Sequence, residues 1–201
     1  VLRMNGKDNA KPDIVLFING IPLGVIECKD SSVPILQGIS QNIRNQKNDY
    51  IPQLFKYIQI VMSANKNETK YATCGTPAKF WSSWNEQYID EQNKILENIV
   101  VDRQITKQDR DIVSLFRKDR FLELIKDFII FEAGIKKICR YQQYFAVKAM
   151  LNRIKEENKG GVIWHTQGSG KSITMVKKKK KIMGDKNIKN PQIVIATDRI
   201  D

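Results

Sequence analysis

Two short apolar runs, Ile14–Ile18 and Ile21–Ile26, make the first readable pattern in the chain, and both are rich in β-branched residues. Asn19-Gly20 between them is a strong hairpin signal, because both central positions of a type I′ turn need positive φ. After Pro34 the period changes. Ile35, Leu36, Ile39 and Ile43 recur at helical spacing, which predicts an amphipathic helix to about Lys47. Tyr57–Ser63 and Tyr71–Cys74 read as two further strands across the turn-like Asn65-Lys66-Asn67. The expected unit is β-β-α-β-β, a mixed sheet with a covering helix.

From about Glu86 to Phe131 the pattern is helical with charges of mixed sign, as in a helical connection. A second periodic run, Ile138 to Ile154, puts Tyr144, Val147, Leu151 and Ile154 on one face. Val162–Trp164 then reads as a short strand, His165–Gly170 as a loop, Lys171 onward as a helix, and Ile193–Ala196 as another buried strand. Strand, glycine-rich loop, helix and strand open a parallel α/β lobe. The expected division is a first domain over residues 1–110, a helical linker over 111–132, and the beginning of a second domain over 133–201.

Composition narrows the class without changing this outline. A chain of 201 residues with 41% hydrophobic and 28% charged residues can bury a real core and matches a soluble globular protein. No apolar run approaches the roughly 20 residues of a membrane span, and Val-Leu-Arg-Met-Asn is neither a signal peptide nor an ordinary start, so the chain reads as a piece of something longer. Cys28, Cys74 and Cys139 are widely spaced and lack Cys-x-x-Cys or Cys/His pairing, which points to a reducing cytoplasm. His165 is the only histidine, which excludes a multi-histidine metal site.

The net charge of +12 is unevenly placed: residues 1–135 hold 18 Lys and Arg against 17 Asp and Glu, and residues 136–201 hold 16 against 5. Such a field suits nucleic acid or a triphosphate, and a solvated lysine face is the competing reading. Five of those charges are the run Lys177–Lys181, which leaves the helix after the loop without a continuous apolar stripe.

Two motifs carry chemistry. In WHTQGSGKSITM, Gly170-Lys171-Ser172 supplies the final elements of a phosphate-binding loop: a glycine whose backbone turns on the phosphates, a lysine for the β and γ phosphates, and a hydroxyl for Mg²⁺. The usual first glycine is His165 here, and Thr166-Gln167-Gly168-Ser169-Gly170 resembles the loop of superfamily 2 helicases and translocases. In KPDIVLFINGIPLGVIECK, Glu27 and Lys29 share a strand face while Cys28 points away, and the Asn-Gly turn brings Asp13 near Glu27. Two carboxylates can hold Mg²⁺ with positions open for a phosphate oxygen and a water, and an ammonium beside them can lower that water's pKa. A surface hairpin with charged ends is the competing reading. The Asn-Gly turn is expected to set the register that places Asp13 opposite Glu27, so that a turn lengthened by one residue would abolish the site. Gln41 on the following helix is a further candidate.

Pro12-Asp13, thirteen residues, then Glu27-Cys28-Lys29 across a hairpin is the layout of PD-(D/E)xK nucleases. IECK first and GGVIWHTQGSGKSITM about 130 residues later closely resemble the R subunit of type I restriction enzymes, as do Gln41-Asn42-Ile43-Arg44, Ile51-Pro52-Gln53-Leu54-Phe55, Gly75-Thr76, Trp84, the stretch from Arg140 to Val147, and Thr197-Asp198-Arg199. The resemblance implies an α/β fold: a PD-(D/E)xK restriction-endonuclease-like mixed sheet with flanking helices, followed by the start of a RecA-like lobe. It implies an ATP-driven translocase joined to an endonuclease that cuts double-stranded DNA, with modification (methyltransferase) and specificity subunits as partners, S-adenosylmethionine used only through the modification subunit, and no membrane.

In that scheme Asp13, Glu27 and the Cys28 carbonyl hold Mg²⁺, Lys29 assists the attacking water and Gln41 supports the site. Thr166, Gln167, Gly168, Ser169, Gly170, Lys171 and Ser172 bind ATP, with Ser172 on its Mg²⁺. Gln143 either helps read adenine or is a polar residue on a packed helix. The family's glutamine-x-x-x-tyrosine has Asn45 at the tyrosine, and Gln46 with Tyr50 offers the same spacing one turn later. Residues 1–201 end before the acidic Mg²⁺ motif and the arginine finger, so they are not expected to hydrolyse ATP alone. A nuclease–helicase of another defence or repair system, and a scaffold whose nuclease has decayed, are the two alternatives.

Overall fold

The computed structural model describes residues 9–86, 90–157, 161–186, 188 and 190–196. They fall into two compact units, residues 1–141 and 142–201. Thr197-Asp198-Arg199 lies outside the described residues.

The first unit is built on a four-stranded mixed sheet in the order β1-β2-β3-β4, formed by β1 (Ile14–Ile18), β2 (Ile21–Cys28), β3 (Ile60–Ala64) and β4 (Thr69–Ala72). The outer pairs are antiparallel, whereas β2 and β3 run parallel through α1 (Ile35–Asn45). Asn19 and Gly20 have φ of 50° and 78°, the left-handed pair that a type I′ turn requires. A short helix α2 (Pro52–Phe55), with proline at its start where the missing N–H costs nothing, leads into β3.

Each sheet face has its own cover. On one, Val25, Val61 and Ala72 pack with Ile39 of α1 and with Ile51, Phe55 and Ile58. Asn42 of α1 is fully buried and donates through Nδ2 to the Met62 carbonyl at 3.0 Å, which ties the helix to the central strand. Leu36, expected on the apolar stripe, is 61% exposed.

The helices α3 (Asp90–Ile99), α4 (Lys107–Phe116) and α5 (Lys118–Glu123) follow, and α5 runs on as a wider turn over Leu124–Phe128. α4 starts at a reciprocal cap between Thr106 and Asp109, and Arg103 grips the Asp109 carboxylate at 2.6 and 2.7 Å. α4 and α5 serve the other sheet face: buried Asp111 accepts from Thr69 of β4, and Gly24 of β2 lies against Phe121. Trp84 packs edge-on to Tyr71 at 5.7 Å, and its indole donates to Glu86, which also pairs with Arg120 in the interior.

The helical pattern expected to Phe131 stops earlier. Ile129–Glu132 (β5) and Ile135–Ile138 (β6) form a two-stranded hairpin across Ala133 and Gly134, whose φ values are 48° and 78°. Hydrogen bonds fasten this region beside the sheet: Tyr71 of β4 donates to the carbonyl of Cys139, just past β6, at 2.8 Å, and Thr73, just past β4, to that of Lys136 at 2.7 Å.

The second unit contains α6 (Tyr141–Asn152) and α7 (Lys171–Gly184). The expected strands Val162–Trp164 and Ile193–Ala196 are not formed. Val162, Trp164 and Val194 are at least 90% exposed, and an extended segment without a ladder partner has nothing to hold it as a strand. α7 does form through the lysine run. Lys177 is turned inside with 1% exposure, while Lys179 and Lys180 face solvent. No helix among the described residues is long and apolar enough to cross a membrane.

The Glu86–Arg120 pair generates a stability prediction. Arg120→Leu leaves a carboxylate buried without its cation and should cost about 3–5 kcal/mol, whereas adding Glu86→Gln should recover part of that loss. Urea unfolding of the single and double variants checks the order.

Candidate active site

The site lies at the end of the β1–β2 hairpin, and its geometry begins with register. The turn pairs Ile18 with Ile21 and Phe17 with Pro22; the next pair is Leu16 with Gly24, so Leu23 is an extra residue and β2 carries a bulge. Counted from the turn along a regular ladder, Asp13 would face Ile26. Past the bulge Ile14 pairs with Ile26, which puts Asp13 opposite Glu27 and on its face of the sheet. The Asn-Gly turn therefore does not set this register alone, and the expectation that it does is corrected. The Cys28 N–H completes the lock by donating to Asp13 Oδ2 at 2.7 Å.

Four predicted residues meet here. Glu27 is fully buried and Asp13 exposed. Lys29 Nζ lies 3.2 Å from Glu27 Oε1 and donates to Gln41 Oε1 at 2.9 Å, while the Gln41 amide donates back to Glu27 Oε1. Gln41 thus bridges acid and base from α1. Gln46 is directed elsewhere: its carbonyl accepts from the Gly75 N–H at 2.7 Å and its amide donates to the Asn42 carbonyl. Asn45 is buried, and Tyr50 lies under the Arg44 guanidinium at 5.1 Å.

Glu27 Oε2 is buried with no hydrogen-bond partner. Burial is the main reason the Glu27 carboxyl titrates above its usual value; Asp13 adds to it by its charge and by the hydrogen bond it accepts when Glu27 is protonated, and the hydrogen bond and charge of Lys29 oppose it. The Cys28 thiol is raised as well, by burial first and then by Asp13 and Glu27. Among the described residues no group of three or more His, Cys, Asp or Glu side chains gathers. A divalent cation here would rest on Asp13 and Glu27, with backbone or solvent oxygens completing its shell, and it fits: it would give Oε2 a partner and offset two adjacent negative charges.

Beside the four lies a groove of about 390 Å³ lined by Lys29, Leu36, Gln37, Ser40, Gln41 and Arg44. Sequence reading missed Gln37, Ser40 and Arg44. Their places four and one residues before Gln41 and three after it were the signal, since helical spacing puts all of them on one face.

In the second unit, Gly168 and Gly170 have φ of 75° and 80°, and Gly170 caps α7, so the loop turns where only glycine turns easily. Gln143 is buried and donates through Nε2 to the carbonyls of Ser169 at 3.1 Å and Gly170 at 2.9 Å, which fastens the loop to α6. Lys171 Nζ bonds the carbonyls of His165 and Thr166 at 3.3 and 3.5 Å. Thr166, Gln167, Gly168 and Ser172 are exposed, and Ser169 is buried.

The matches to known proteins follow the same two-part division. Residues 2–80 match the family described as type I restriction enzyme R protein N terminus, and residues 142–201 match the SWI2/SNF2 ATPase family. The chain belongs to the type I restriction enzyme R proteins. Among curated relatives, the putative type I restriction enzyme MjaIXP endonuclease subunit of Methanocaldococcus jannaschii is 34% identical over 95% of this chain and 20% of its own length. The type I restriction enzyme HindI endonuclease subunit of Haemophilus influenzae is 32% identical over 94% and 19%. The SsaAORF53P endonuclease subunit of Staphylococcus saprophyticus is 27% identical over 96% and 20%. The chain thus spans about a fifth of the length of the curated relatives it matches.

The raised Glu27 carboxyl predicts a pH effect on metal-free protein. The folded state holds this proton more tightly than the unfolded state, so stability falls as pH rises from the usual carboxylate range through the higher folded value. Glu27→Gln should remove that part of the slope and raise stability at neutral pH, as thermal melts between pH 4 and 8 in chelator, on the order of the range a carboxylate spans, would show.

Proposed function

We propose that this chain is the nuclease-bearing, nucleotide-binding part of a type I restriction endonuclease subunit, which cuts double-stranded DNA with Mg²⁺ while ATP drives translocation, in a cytoplasmic complex with modification and specificity subunits. The observation that carries the reading is the unpartnered, buried Glu27 Oε2 beside an exposed Asp13, with Lys29 and Gln41 bound to the other Glu27 oxygen. A buried acceptor left unmatched costs about 1–3 kcal/mol, and a bound cation removes that cost.

Asp13, Glu27 and the Cys28 carbonyl would hold Mg²⁺, which when bound lowers the pKa of a water and offsets charge on the phosphate. Asp13 is exposed at the strand end and leaves this edge open to a phosphodiester. Lys29 donates to Glu27 and Gln41, so its ammonium is held at the carboxylate, where it can assist an attacking water. Gln41 fixes that ammonium from the helix side. In the second unit, the N–H groups of the loop from Thr166 to Ser172 and the Lys171 ammonium would take the ATP phosphates, Ser172 the accompanying Mg²⁺, and Gln143 would keep the loop in shape. Lys171 would exchange its two carbonyl partners for phosphate oxygens.

In the full-length protein assembled with its partner subunits, Asp13→Ala and Lys29→Ala should each lower Mg²⁺-dependent cleavage by about 10²–10⁴-fold while DNA binding persists. Plasmid linearisation and a filter-binding assay read the two properties separately. Equal cutting by the variants would refute the assignment.

A further inference from the structure

Gly38 lies in the interior of α1, where alanine is the better helix former, and its φ is not among the positive ones that require glycine. Its surroundings supply the reason. A Cβ added there would overlap Ser63 Oγ and would stand 3.3 Å from both Ser63 Cβ and Lys29 Cγ. Ser63 is fully buried on the central strand β3 and pairs with Glu27 in the parallel register. Its room to move is small, because packed interiors hold few voids. The Ser63 hydroxyl also donates to the Ile35 carbonyl of α1 at 3.4 Å, so helix and strand meet at this point. One turn further along α1 stands Gln41, with its bonds to Glu27 and Lys29.

Building on the reading of Asp13, Glu27, Lys29 and Gln41 as a nuclease site, we propose that Gly38 is a positioning residue: its bare backbone lets α1 seat close enough to β3 for Gln41 to bridge Glu27 and Lys29. The same missing side chain leaves room for the aliphatic stem of Lys29 beneath the helix. A methyl group here either lifts α1, and Gln41 with it, or bends Lys29 out of line. The pressure falls on Ser63 and on the Lys29 stem.

The test uses the full-length protein assembled with its partner subunits, in single-turnover cleavage with Mg²⁺. Gly38→Ala should slow the cleavage step by about a hundredfold, the effect of a displacement near 1 Å, with the DNA concentration for half-maximal rate unchanged. Adding Ser63→Ala removes the overlapping oxygen and should restore much of the rate. The loss from Gly38→Ala should shrink in a Gln41→Ala background, because the bridge is already gone. Undiminished cleavage by Gly38→Ala, no recovery in the Gly38→Ala/Ser63→Ala protein, or a full additional loss on top of Gln41→Ala would each overturn the inference. Lys29→Ala, run in parallel, separates the two claims: if it cuts normally the site reading itself fails, and if it is inactive while Gly38→Ala is unimpaired only the positioning role falls.

Discussion

The hydrogen bond from the Cys28 N–H to Asp13 Oδ2 is the constraint on which the candidate active site depends. It forms only because β1 lies along β2 in one particular register, and that register needs two devices. The Asn19-Gly20 turn fixes the near end of the ladder, and the extra residue at Leu23 shifts the far end by one. A one-residue slip moves every side chain of a strand to the opposite face. Without the bulge, Asp13 would be carried away from Glu27 and the two carboxylates would not share an edge.

The sheet then divides its faces between chemistry and anchorage. On the α1 side, Glu27 is fully buried and Asp13 exposed, an arrangement that raises the Glu27 carboxyl through burial and through the neighbouring charge. Lys29 offsets part of this by its charge and its hydrogen bond to one Glu27 oxygen, which Gln41 also binds, and the second oxygen is left without a hydrogen-bond partner. On the other side, Asp111 accepts from Thr69 and Lys107, and Trp84, Glu86 and Arg120 form a second interior polar cluster. Those contacts tie α4 and α5 to β4 and its neighbours, so that the strands bearing the site are braced from behind.

Much of this was legible in the sequence because the hydrophobic period changes cleanly from two to about 3.6 and back. The order of β1, β2, α1, β3 and β4, the left-handed Asn-Gly turn and the meeting of Glu27 with Lys29 all follow from local rules, whereas the short helix α2 between α1 and β3 does not. The bulge is signalled only by an isolated Gly24 within an apolar strand, and alternation alone does not place it. The β5–β6 hairpin was hidden because Ala133-Gly134 lacks the Asn or Asp that usually marks such a turn, and because apolar residues run on from the preceding helix. In the second unit, Val162–Trp164 and Ile193–Ala196 have strand composition without a ladder partner among the described residues. Composition cannot supply the partner. The lysine run breaks the apolar stripe of α7, yet a long aliphatic stem can itself be packed, as that of buried Lys177 is.

In the proposed reading the hairpin register creates one divalent-cation site on Asp13 and Glu27. A crystal of the protein soaked in Mn²⁺ tests it most directly, because anomalous scattering locates the ion without reference to activity. The expected result is a peak bound by the Asp13 carboxylate and Glu27 Oε2, with Lys29 and Gln41 still on the other Glu27 oxygen. A fully occupied Mn²⁺ site elsewhere in the first unit, with Glu27 Oε2 still unliganded, would contradict it.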